Sequence, residues 1–387
     1  MNTFELDKTY IAGTYKRFPI EIVSGRGSLV KDVNGKEYID MGSGIAVTSF
    51  GIADEEWIAA VEQQIHSVQH MSNLYYTAPC ARLAEALCLK TGMAKVFFSN
   101  SGAEANECAI KAARKWAAEN KGPACSTIVT LENSFHGRTL TTLSATGQAH
   151  YHELYQPLTP GFASFPAGDL EALKKLCSGG TVAAVLIECV QGEGGVVALD
   201  PGFVKELDAF LKEQNILLMV DEVQTGNGRT GSLYAYMQYG IRPDVVSTAK
   251  GLAGGLPMGA TLLSEKLADI FSYGDHGSTF GGNPVAAAAA LSVVSRLTAD
   301  FLKDVTRKSE LLRGLLKDAP GIEALTGLGL MVGIKTTRPA SEVIADCMAN
   351  SVLCLAAKDK VRLLPALNIP DDLLIKAADV IKTACAK

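Results

Sequence analysis

No apolar stretch of the chain approaches the roughly 18 uncharged residues a membrane-spanning helix needs. Its opening, Met-Asn-Thr-Phe-Glu-Leu-Asp-Lys, lacks the basic-then-apolar layout of an export signal. Neither a membrane protein nor an exported one is expected, which leaves the cytoplasm. A basic excess is also missing: 36 lysines and arginines stand against 41 acidic residues, and the net charge of −5 offers no cationic stripe for nucleic acid. The nine cysteines include no CxxC pair, so buried reduced thiols are expected and a zinc or dithiol motif is not. Histidine is scarce, at six residues, with one metal-like spacing, His66 and His70 at i and i+4. That spacing would put both on one helical face. The intervening Ser-Val-Gln carries no glutamate of an HExxH motif and no third ligand follows, so no metal site is expected.

What the chain does have is length and pattern. At 387 residues, 48% hydrophobic and 20% charged, it exceeds what one hydrophobic core usually organises and predicts two domains. Near the N-terminus, Ile20–Val23, Ser28–Val33 and Lys36–Asp40 read as a small antiparallel meander, with Asn34-Gly35 supplying the positive φ angles of a tight hairpin turn. From about residue 80 to 265 the texture changes to helical stretches alternating with short apolar runs. The runs are Lys95–Phe98, Ser126–Thr130, Ala183–Ile187, Ile216–Val220, Asp244–Ser247 and Ala260–Leu263. Helix patterns such as Ala103–Trp116 and Phe203–Lys212 fall between them, which predicts an α/β domain on a mainly parallel sheet. Beyond Asn283-Pro284 an alanine-rich helix, Val285–Leu297, leads to mixed elements with Gly327–Ile334 and Val361–Pro365 as strand candidates. Residues 1–50 and 284–387 are expected to form a smaller α/β domain, and residues 51–283 the larger one.

In parallel α/β sheets ligands bind at the carboxyl ends of strands. Three deliveries there stand out. Ser101-Gly102-Ala103 follows a strand and opens a helix, offering backbone N–H groups to a phosphate, although Ser101 and Glu104 also make a plain capping box. Asp221 closes the most hydrophobic run, where an ionised carboxylate needs a partner; a structural salt bridge would explain it equally well. Lys250 follows another run, where burial would make its amine nucleophilic, unless it simply extends to solvent. Pyridoxal phosphate needs one of each: a lysine to bond its aldehyde, an acid for its ring nitrogen and a cradle for its phosphate. Gly226-Asn-Gly-Arg-Thr-Gly231 literally matches the dinucleotide fingerprint GxGxxG, but four residues separate it from its strand and Asp244 begins the next strand instead of ending it.

Further segments carry a resemblance over nearly the whole chain, from about Gly13 to Ile369. They are Asn100–Asn106, Ser134–Thr139, Ser144–Gln148, Gln191–Val196, Asp221–Gly226, Gly228–Gly231, Thr248–Lys250, Gly277–Pro284 and Val361–Leu367. With them the sequence resembles the class III (ω-amino) aminotransferases among the fold type I pyridoxal phosphate enzymes, most closely the acetylornithine branch. The resemblance implies that Lys250 is the Schiff-base lysine and Asp221 the partner of the ring nitrogen. It implies that Gly102 and Ala103 hold the phosphate, that Phe135 and Val223 take opposite faces of the ring, and that Gln224 lies near the ring hydroxyl. Arg138 would bind a substrate carboxylate, while Ser278 and Thr279 would come from a second subunit, Thr279 to the phosphate. Glu193 would hold Arg362 until a dicarboxylic substrate needs it. The implied protein is a cytoplasmic homodimer with shared sites that works on a small-molecule amino donor and 2-oxoglutarate. Ornithine, succinylornithine and 4-aminobutyrate relatives are the alternatives within the family, and a non-catalytic protein keeping the fold is the alternative outside it. The chain departs from the family pattern at Asn227, at Gly251, at the leucine after Arg362, and in the charged Cys354–Lys360 segment.

Overall fold

A computed structural model describes residues 1–387. All six apolar runs are strands of one seven-stranded sheet, in the order 95–99, 259–263, 245–248, 217–221, 182–187, 127–131, 162–165. The last four join in parallel to 245–248, whereas 259–263 runs antiparallel to both of its neighbours. Two antiparallel steps restore direction, so the Lys95–Ser99 strand ends on the same edge as the parallel ones. Every residue of Val182–Ile187 and Leu217–Asp221 is buried. Their unbroken apolar pattern therefore reflects helices on both faces. Chief among these is Gly102–Lys121, whose inward face is mostly alanine and so lets the helix lie close to the sheet.

The N-terminal strands Ile22–Arg26, Leu29–Asp32 and Glu37–Asp40 form the expected meander, completed by Val352–Leu353 lying parallel to Glu37–Asp40. Its turn differs from expectation. Only Gly35 has positive φ, at 80°. Asp32 Oδ1 accepts from the N–H groups of Asn34 and Lys36, both at 2.9 Å, so this carboxylate organises a longer loop and Asn34 need not adopt a left-handed conformation. A second small sheet holds Ile322–Leu328, Met331–Thr336, Lys360–Leu363 and Leu355–Ala357. The expected single strand at 327–334 is thus the turn of a hairpin, broken where Gly329 takes φ +58°.

The alanine-rich helix runs Pro284–Arg296, with Pro284 in its first turn and Asn283 Oδ1 accepting from Val285 N at 3.0 Å and Ala286 N at 3.2 Å. It packs against Glu55–Ile65 and Ala78–Thr91 in one helix layer. The Glu55–Ile65 helix ends before His66, which caps it, while the His70 ring lies 5.1 Å from that of Phe280. The two histidines therefore share no helical face. No single helix is long and apolar enough to cross a membrane.

Candidate active site

A cavity of about 440 Å³ opens at the carboxyl edge of the large sheet. It is lined by Gly102 and Ala103 beyond Lys95–Ser99, Phe135 and Arg138 beyond Thr127–Leu131, Glu188 beyond Val182–Ile187, Asp221, Val223 and Gln224, and Lys250. Segments far apart in sequence meet here because their strands share direction. The antiparallel strand contributes its entry, Gly255 to Met258, for the same reason.

Asp221 is 4% exposed and is met by three donors. Its Oδ1 accepts from Val223 N at 2.9 Å, and its Oδ2 accepts from Asn106 Nδ2 and His136 Nδ1, each at 2.8 Å. Donation to a carboxylate requires the proton on Nδ1 of His136. Asn106 is itself fixed, accepting from Ser247 Oγ at 2.6 Å and donating to the His136 carbonyl at 2.8 Å. Sequence reasoning missed Asn106 and His136 as Asp221's supports. A signal existed for Asn106, a polar side chain on the buried face of a helix.

Lys250 follows the Val245–Thr248 strand, adjacent and parallel to that of Asp221, with Asp221 opposite Ser247. Its φ of +46° is a conformation non-glycine residues seldom adopt. Burial pulls its pKa below that of an ordinary lysine, outweighing the attraction of Glu193 and Asp221. That favours the neutral, nucleophilic amine. Glu188 accepts from Phe135 N at 3.0 Å, and burial pushes its carboxyl up to about 7.

At the helix start, Ser101 Oγ accepts from Glu104 N at 3.2 Å, the first half of the expected capping box. The second half is shifted by one residue: the Glu104 carboxylate accepts from Asn100 N at 2.6 Å. The N–H groups of Gly102 and Ala103, in the first turn of a 20-residue helix, are left to the cavity together with the helix's positive end. A Cβ on Gly102 would stand 2.7 Å from Val223 Cγ1, so the cradle and the wall beside it require glycine.

Arg138 reaches the cavity mouth, its guanidinium 5.8 Å from the Phe135 ring centroid and 5.5 Å from that of Tyr151. Glu193 and Arg362 form an ion pair just beyond the cavity. Gln224 joins it to the wall, its Oε1 accepting from Arg362 Nη1 at 3.2 Å and its Nε2 donating to Glu193 at 3.4 Å. Burial alone would raise the Glu193 carboxyl, but Arg362 prevails and holds it below the usual range. Ser278 and Thr279 do not line this cavity; they border a second cleft, with Ser278 Oγ 3.1 Å from Asn100 Nδ2. The Gly226–Gly231 match binds no helix start. Its Asn227 donates to Thr248 Oγ1 at 3.0 Å, and Asp244 accepts from Leu218 N at 2.9 Å, a strand-to-strand role that removes the dinucleotide reading.

A mainly parallel sheet with an anion cradle, a buried acid and a lysine converging at its carboxyl edge defines a fold type I transferase, and these residues fit pyridoxal phosphate. The profile of class III aminotransferases (Aminotransferase class-III) matches residues 10–385, and the chain belongs to that family. It is 47% identical over 379 residues to an acetylornithine aminotransferase from Haemophilus ducreyi, covering 97% of this chain and 96% of the relative. It is 40% identical over 396 residues to an acetylornithine aminotransferase from Methanocaldococcus jannaschii, covering 100% and 99%. Among solved structures, the ornithine aminotransferase of Toxoplasma gondii superposes with a TM-score of 0.93 at 31% identity, covering 99% of this chain and 94% of that one. The N-acetylornithine aminotransferase of Stenotrophomonas maltophilia gives 0.85 at 33%, covering 99% and 98%.

Proposed function

We propose that the protein transfers the terminal amino group of N2-acetyl-L-ornithine to 2-oxoglutarate, giving N-acetyl-L-glutamate 5-semialdehyde and L-glutamate, as a step of arginine biosynthesis. The observation that carries this reading is full-length identity of 40–47% to relatives named acetylornithine aminotransferase. Bound pyridoxal phosphate supplies an aldehyde that takes up the amine and a ring that draws electrons from the adjoining carbon.

The remaining work falls to the chain. Gly102 and Ala103 would hold the phosphate through their N–H groups. Phe135 and Val223 would hold the ring between them, and Gln224 would serve its hydroxyl. Asp221, aimed by Asn106 and His136, would hold the proton on the ring nitrogen. Lys250 would hold the cofactor through its amine, the nucleophile nearest the end of the Val245–Thr248 strand. Its Nζ would also take the proton from the amine-bearing carbon of the donor, a task its lowered pKa suits. Arg138 receives the donor's carboxylate in bidentate fashion. The Glu193–Arg362 pair keeps a second carboxylate subsite closed until glutamate or 2-oxoglutarate arrives.

The working form is a cytoplasmic homodimer in which Ser278 and Thr279 of one copy complete the other's site, Thr279 at the phosphate. Exposed apolar side chains around the second cleft, among them Leu74 at 88% and Phe280 at 59%, support burial against another copy. A donor panel tests the reaction: acetylornithine should give the highest kcat/KM with 2-oxoglutarate. If free ornithine or 4-aminobutyrate outcompetes it, the assigned donor is wrong. Sedimentation at working concentration tests the dimer, and a monomer that retains full activity removes it.

A further inference from the structure

Glu193 sits at the tip of a two-stranded ribbon, Val190–Gln191 against Val197–Ala198, whose turn spans residues 192–196. Two features fasten that tip to the sheet that carries Arg362. The first is Val196. It is fully buried at φ +55°, a conformation that a β-branched residue rarely adopts unless its surroundings compel it. Its side chain lies over two glycines of the sheet: a Cβ on Gly327 would stand 2.7 Å from Val196 Cγ1, and one on Gly333 would stand 2.9 Å from Val196 Cβ. The second is Lys360, two residues before Arg362 on the same strand and hence on the same face. Its Nζ donates to the Gly195 carbonyl at 2.8 Å and to Thr326 Oγ1 at 3.3 Å, both neutral acceptors.

We infer that Lys360 is a positioning residue for substrate choice: by tying the Gly195 carbonyl to the strand of Arg362, it fixes the rest position of Glu193 and so the strength with which Arg362 is withheld from a dicarboxylic substrate. This rests on the reading that Glu193 and Arg362 gate a second carboxylate. The charged Cys354–Lys360 segment, a departure from the family pattern, thereby acquires a task. One strand presents both the arginine that meets the substrate and the lysine that sets its restraint.

The test uses the full-length holoenzyme in single-turnover half-reactions, with acetylornithine and with glutamate as amino donor. In Lys360→Met, which keeps the stem and removes the donors, the ratio of kcat/KM for acetylornithine over glutamate should fall roughly two- to ten-fold, the worth of one hydrogen bond, through KM for glutamate. Lys360→Arg should return the ratio towards wild type. Amide hydrogen exchange across residues 192–198 should quicken in Lys360→Met while exchange in the Leu217–Asp221 strand stays unchanged, which separates a local effect from misfolding. Equal loss in both half-reactions, or unchanged exchange in the turn, overturns the proposal. An unchanged ratio in Lys360→Met alongside an altered ratio in Glu193→Ala overturns it while leaving the gate intact. An unchanged ratio in both variants removes the gate and the proposal together.

Discussion

Glu222, the neighbour of Asp221, offers a measurement that separates burial from function. It is completely buried, with Oε2 accepting from Thr225 Oγ1 at 2.5 Å and Oε1 from Tyr236 N at 2.8 Å. Burial raises its carboxyl from 4.5 to about 7, and the hydrogen bonds offset only part of this. Between those values the folded chain holds a proton that the unfolded chain releases, so stability falls as pH rises through the window and levels off above it. At 1.36 kcal/mol per unit, the cost above pH 7 is about 3 kcal/mol. Glu222→Gln cannot ionise, yet it keeps an oxygen for Tyr236 N and offers an N–H to the Thr225 hydroxyl, which can turn to accept it. The variant should therefore be more stable at pH 8 by up to about 3 kcal/mol, with little difference at pH 5. At about 2.1 cal/mol/K per residue over a chain of this length, that corresponds to a Tm gain of about 4 °C. Calorimetry at pH 5, 6, 7 and 8 with equal cofactor present reads it, and the difference between the two proteins cancels the similar contribution of Glu188. A gain that is the same at every pH, or a loss at pH 8, would refute the argument from burial.

Other substitutions address the cavity. Lys250→Ala should lower glutamate-dependent transamination by at least about 10³-fold, because the proposed mechanism then loses both its anchor and its base; borohydride treatment should fix the cofactor to the wild-type chain at Lys250 and not to the variant. Gly102→Ala places a methyl 2.7 Å from Val223 Cγ1 and should weaken cofactor affinity at least about tenfold in an absorbance titration, with little change in acetylornithine KM at saturating cofactor. Asn106→Ala leaves Ser247 Oγ without its acceptor and Asp221 Oδ2 with His136 alone, and should cost about 1–3 kcal/mol in denaturant unfolding along with a lower kcat. Equal stability with unchanged kcat would remove Asn106 from the network.

Five of the six strands could be read from the sequence because each is buried on both faces or nearly so, and an unbroken apolar run reports that directly; the sixth, Lys95–Ser99, is an edge strand and only part-buried, and is marked by Val96-Phe97-Phe98 alone. The seventh, Phe162–Phe165, could not: it lies at the sheet edge and only Phe165 is fully buried, so no run marks it. The hairpin at Leu328–Met331 was hidden for the opposite reason, apolar residues continuing through its turn. In the site, Lys250, Asp221 and the Ser101–Ala103 cradle were readable as strand-end punctuation. Asn106 and His136 were not, because their meeting with Asp221 depends on the lateral order of strands, which local pattern does not encode. The Lys360 contact with Gly195 spans two sheets and had no sequence signature beyond an unusual density of charge.

The Glu37–Asp40 strand is completed by Val352–Leu353, with Ile39 opposite Val352. During translation its outer edge therefore waits for roughly 300 further residues, about 15–60 s at ordinary elongation rates of about 5–20 residues per second. Through that interval the nascent meander presents unpaired backbone to whatever is near, while the large sheet, whose strands all lie between residues 95 and 263, can already assemble. Folding order is thus written into the interleaving of the two ends, and a ribosome stalled before Val352 would display a closed cofactor platform beside an open strand.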